Sequence, residues 1–186
     1  MTALPDIPRL YTALAECLAV LLFTPALAPR FSKAVTVGIT LLWAAVLSAF
    51  LALTGDVPGG FWIPCMAAAI GFSYLYLWGV WSITLLEAGY HCARAFILAE
   101  LAASVEWQLH CALWPARSAW GTLSLLLLAL VYGALFGGMC YWLHISPQPA
   151  GHLQISGSAA LTAVMLALAA FAVSNLGFLP GSDINM

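Results

Sequence analysis

One stretch limits what this chain can fold into: Glu87 to Trp114, EAGYHCARAFILAELAASVEWQLHCALW. Its alanine-rich composition suits a helix, and Cys92 to Trp114 supplies about 23 residues against the ~20 that cross a bilayer's hydrocarbon. Yet Arg94, Glu100 and Glu106 fall inside it. A charge at mid-bilayer costs at least ~2.5–3.5 kcal/mol, so such residues turn toward a bundle interior and find partners there. The stretch is therefore expected to be a hub, with the other spans packed around it as insulation.

The rest of the chain leaves no water-soluble alternative. Of 186 residues, 64% are apolar and 6% are charged, whereas about a quarter of a soluble domain is charged. The fold class this implies is all-α: one polytopic membrane domain, a bundle of six transmembrane helices in a lipid bilayer. A net charge of −2 with one lysine excludes a nucleic-acid face, since no basic stripe is present to neutralise phosphates. The five cysteines form no CxxC and lie in or beside apolar runs, where they read as small buried hydrophobes. Ala26-Leu27-Ala28 imitates a signal-peptide cleavage site, but Asp6 and Glu16 interrupt the pattern, so the first span reads as retained.

The spans fall at about residues 9–28, 34–54, 61–86, 92–114, 119–143 and 156–176. Pro25 is expected to kink the end of the first. Tyr74, Trp78 and Trp81 share one face of the third if it runs to residue 86. Gly133 and Gly137 have the spacing of a close-packing seam within the chain, and Ala159, Ala163 and Ala167 suggest another. Turns are expected around Asp56, at Pro115–Ser118 and between His144 and Gln154. Arg30 and Lys33 are the only closely spaced basic pair and place their connection in the cytoplasm. Arg9, Asp56, Arg117 and the C-terminus then lie outside, and the Glu87–Arg94 segment inside.

Glu87, His91 and Arg94 lie on one helical face at the cytoplasmic rim, where they read as an interfacial anchoring cluster. Glu100 points about 220°, Glu106 about 100° and His110 about 140° round the helix from Glu87, so neighbours on several flanks must cover them. Glu16 and Glu106 each lie about eight residues, or ~12 Å, inside the outer end of their helix. This depth groups Glu16, Glu106 and His110, with Gln108 nearby, as a buried polar site opening outward. The same residues also read as a structural clamp between helices. The pairs His91-Cys92 and His110-Cys111 stand roughly 28 Å apart along a helix and cannot share a metal ion. No motif of a nucleotide-, metal- or serine-dependent enzyme is present, and no cofactor is expected.

The string Arg94-Ala-Phe-Ile-Leu-Ala-Glu-Leu-Ala-Ala-Ser-Val-Glu-Trp-Gln-Leu109 resembles the N-terminal membrane region of bacterial GHKL-type sensor histidine kinases, relatives of the AgrC-like peptide-sensing kinases. In that family a helix of this kind follows three apolar spans, and two more lead to a segment like Ser174-Asn-Leu-Gly-Phe178. The specific likeness is confined to these two segments. It implies a sensory module of a two-component system in the bacterial cytoplasmic membrane, homodimeric as part of a kinase, detecting an external peptide or small amphiphile. No phosphoacceptor-histidine helix or ATP-binding domain is present in the sequence, so catalysis does not carry over. A small transporter or substrate-binding membrane subunit, using the buried carboxylates, is the alternative from a different class; an intramembrane Cys/His peptidase is a third.

Overall fold

The computed structural model describes residues 7–55, 59–114, 121–145 and 155–175. The expected turns around Asp56 and at Pro115–Ser118 lie outside these residues, as do Arg117, the tail and most of the Ser174–Phe178 segment; of the loop expected from His144 to Gln154, His144 and Ile145 belong to a helix and the rest lies outside. Six α-helices make up the described chain: α1 Arg9–Phe23, α2 Lys33–Leu53, α3 Gly59–Val80, α4 Leu85–Leu113, α5 Thr122–Ile145 and α6 Gly157–Asn175. Four stretches are long and apolar enough to cross a membrane: Arg9–Ala26, Lys33–Leu53, Ile63–Val80 and Thr122–Ile145. The chain is an all-α membrane protein.

Proline and capping chemistry set the helix ends. α1 begins directly after Pro8 and gives way at Pro25 to a 3-10 turn, Thr24–Ala26. Pro25 thus ends the α-helix where a kink was expected, because its ring excludes the α-helical hydrogen bond. α3 stops at Val80, six residues short of the expected 86, and α4 starts at Leu85 instead of near 92. The reason is a capping box. The Glu87 backbone N–H donates to Thr84 Oγ1 at 3.2 Å, and the Thr84 N–H donates to Glu87 Oε2 at 2.7 Å. Trp81 consequently leaves the helical face it was expected to share with Tyr74 and Trp78.

The short segments either side of this start are tied together. Arg30 N–H donates to the Val80 carbonyl at 2.9 Å and Ser82 N–H to the Ala28 carbonyl at 2.8 Å. The Arg30 guanidinium then donates to the carbonyls of Trp81 (2.8 Å) and Ile83 (3.3 Å). This clamp joins the α1–α2 connection to the α3–α4 connection, so α1 to α4 alternate in direction. At the opposite end, Arg9 lies beside Gly55.

α4 packs against α1, α3, α5 and α6, while α2 covers α1 and α3. Small residues permit this closeness: Ala88, Ala95, Ala99, Ala102 and Ala103 of α4 are buried, as are Ala13, Ala15 and Ala19 of α1. The α6 seam is Ala160, Ala163 and Ala167; Ala159 faces outward. A fourfold spacing drifts about 40° per step round a helix, whereas residues seven apart return to the same side. Gly133 and Gly137 are exposed, with open space where a Cβ would stand, so the expected seam within the chain does not form there. On α5 the inward face belongs to Ser124, Leu128, Tyr132 and Phe136.

Candidate polar site in the bundle interior

Polarity is distributed inside out. Leu41 and Leu130 are 67% and 71% exposed, whereas Glu106 is 0%, His110 2% and Glu16 5% exposed. The hub's outward strip carries Leu101, Gln108 and Leu109. Gln108 therefore stands apart from the grouping expected for it: two residues beyond Glu106 is about 200° round the helix.

The α1–α4 seam also divides Glu16 from Glu106. Phe23 meets Arg94, and Tyr11 lies within electrostatic reach of Glu106. In this antiparallel register Glu16 stands level with the turn at Glu100, about five residues or ~8 Å from Glu106. The single Glu16–Glu106–His110 site is thus two sites. Equal depth in two separate helices does not fix their relative shift.

At the first of these, Glu106 is enclosed among Tyr11, Tyr132 and its own helix. Tyr11, Cys111 and Tyr132 all lie within its electrostatic reach. The Tyr132 hydroxyl donates to the Tyr11 carbonyl at 2.9 Å, pinning α5 to α1. Neither carboxyl oxygen of Glu106 has a hydrogen-bond partner, nor does Nδ1 of His110 one turn on. The His110 ring stacks on Trp107 (centroids 4.8 Å, interplanar 3°) and meets Trp114 edge-on at 6.2 Å. This is a buried carboxyl in an aromatic enclosure, able to accept hydrogen bonds or face a cation.

At the second, Glu16 Oε1 and Ser73 Oγ are buried and unpartnered. They line a cavity of about 10 Å³ with Val20, Ile70, Cys92, Ala95 and Phe96. Glu100 is the charged neighbour of Glu16, and Arg9 is that of Glu100.

The Glu87–His91–Arg94 group divides its work. Glu87 caps α4. Arg94 lies over the Phe23 ring at 4.5 Å and near the Tyr90 ring at 5.3 Å, a cation–π arrangement. His91 is buried between Phe23 and Tyr90.

Sequence reading passed over Thr84, Tyr11, Ser73 and Tyr132, and took Arg30 only as half of a basic pair. Thr84-Leu-Leu-Glu87 before an apolar run is a capping-box signature and was available. Ser124, Leu128, Tyr132 and Phe136, four residues apart in a leucine-rich helix, mark an inward face in the same way. Nothing local marks Arg30 as a clamp, because its acceptors are backbone carbonyls fifty residues on.

No protein-family model, characterised protein or solved structure matches the chain.

Proposed function

We propose that the chain is the sensory membrane module of a bacterial two-component histidine kinase, multi-pass in the cytoplasmic membrane. An external peptide or small amphiphile favours one of two helix packings around α4. The observation that carries this reading is the Glu106 carboxyl, wholly buried with neither oxygen hydrogen-bonded. Leaving a polar group in that condition costs about 1–3 kcal/mol, and more if it is charged. A ligand donor or a shifted packing that partners Glu106 recovers that cost, which brings a second arrangement of the seam within reach of the first. Bistability of this kind is what a switching element requires. The likeness of residues 94–109 to GHKL-type sensor kinases supplies the class, and the basic pair Arg30 and Lys33 supports a Glu106 end facing outward.

The test uses the full chain in nanodiscs, spin-labelled near Leu113 on α4 and Leu125 on α5. Synthetic cationic amphiphilic peptides are titrated while the interhelix distance is followed. The expected result is a saturable distance change with at least one peptide, lost in Glu106→Gln. Distances that no peptide moves would overturn the sensory reading. Disulfide crosslinking at the outward Gly133–Gly137 face tests the homodimer.

The carboxyls at two levels of one seam, buried Glu16 beside half-buried Glu100 and then buried Glu106, favour the second reading, a small cation-coupled transporter. Gradient-driven uptake into vesicles that Glu106→Gln abolishes would replace the first reading with this one.

A further inference from the structure

We propose that the cavity enclosed by α1, α3 and α4 is a binding site for one small monovalent cation, with Glu16 and Ser73 as its principal ligands. The inference concerns a site separate from Glu106 and stands independently of the sensory reading.

Three observations converge on it. The first is size. A cavity of about 10 Å³ admits a single water-sized particle and nothing larger. The second is chemistry. Two side-chain oxygens among the lining residues, Glu16 Oε1 and Ser73 Oγ, are buried without hydrogen-bond partners, although both residues are at least nine-tenths buried. The third is charge. Arg9 lies with Glu100, while the charged neighbour of Glu16 is Glu100 itself, another acid. A cation beside Glu16 would compensate its carboxylate in the interior, where an isolated charge is costly.

The donor set also selects among cations. Calcium takes six to eight oxygens and magnesium demands an octahedron of six; one carboxylate and one hydroxyl supply neither. A singly charged ion matches a single carboxylate. Sodium and lithium fit the confined space better than larger alkali ions. A neutral water in the same place would meet the hydrogen-bonding need but leave a carboxylate at Glu16 without a compensating charge.

The experiment is thermal unfolding of the full chain in nanodiscs, prepared in choline chloride and titrated with lithium, sodium, potassium or magnesium chloride at constant ionic strength. A ligand bound only by the folded state raises the midpoint in a saturable way. The expected result is such a rise with sodium or lithium and little with potassium, magnesium or choline. Ser73→Ala weakens the apparent affinity at least tenfold, Glu16→Gln removes the response, and Glu106→Gln retains it. A midpoint indifferent to cation identity would mean that the cavity holds only water and would overturn the proposal. Loss of the response in Glu106→Gln would overturn the assignment to Glu16. Should Glu16→Gln fail to fold, Ser73→Ala decides alone, and an unchanged response there sinks the site.

Discussion

The two ends of α4 handle the same problem, a buried acid, in opposite ways. Near its start, Glu87 closes a capping box with Thr84, Arg30 clamps the carbonyls just upstream, and Arg94 rests on aromatic rings. Near its finish, the Glu106 carboxyl has no hydrogen-bond partner and His110 Nδ1 has none. The Glu87 end is tied by several interlocking contacts, although His91 Nδ1 there is unpartnered; the Glu106 end is pinned by Tyr132 on Tyr11 yet keeps a whole carboxyl uncompensated inside an aromatic wall. Stability is rarely uniform along a structure, and elements that move are drawn from its weaker regions. The contrast makes the Glu87 end the anchor and the Glu106 end the part able to repack.

The largest expected effect comes from removing the uncompensated group. Glu106→Leu should raise stability by about 1–3 kcal/mol, the cost of an unsatisfied buried polar group, read as the unfolding midpoint in nanodiscs. A loss of stability would show that Glu106 is already partnered and would erase the contrast between the ends. Next, Arg30→Ala should lose about 1–2 kcal/mol, at the lower end for charge-assisted hydrogen bonds because the side chain is exposed. Amide exchange at Ser82 should quicken with it. Thr84→Ala should cost about 1 kcal/mol as a lost helix cap, with faster exchange at Leu86 and Glu87 and none at Glu106 to His110. Acceleration at both ends would mean that the anchor and the repacking region are one unit. The smallest effect, about 0.5–1 kcal/mol, is expected for Arg94→Leu, which deletes the cation–π contact; unchanged stability would remove Arg94 from the anchor.

Much of this was legible in the chain itself. The six helices follow from apolar runs broken by proline and glycine, and the hub from the charges in residues 87–114. Its neighbours do lie on several flanks, as the angular spread of Glu100, Glu106 and His110 requires. The candidate site was legible only in part. Glu106 and His110 share a face because one helix puts them there. Glu16 was grouped with them on depth alone, and Gln108 on proximity in sequence although it turns the other way. The α6 seam missed by one residue, Ala160 in place of Ala159, since a run of small apolar residues offers adjacent faces of nearly equal character.

Taken alone, the sequence determined the all-helical membrane class and the inward turn of α4's acids, because desolvation and backbone hydrogen bonding act on each segment separately. Only the tertiary structure decided how far α1 slides along α4, and hence that Glu16 meets Ser73 and a small cavity while Glu106 meets Tyr11 and Tyr132. Alanine-lined helices can slide in steps of ~1.5 Å per residue with little change in apolar burial. Their register is set by a few distant contacts, Arg94 on Phe23 and Tyr132 on Tyr11, which no local pattern records.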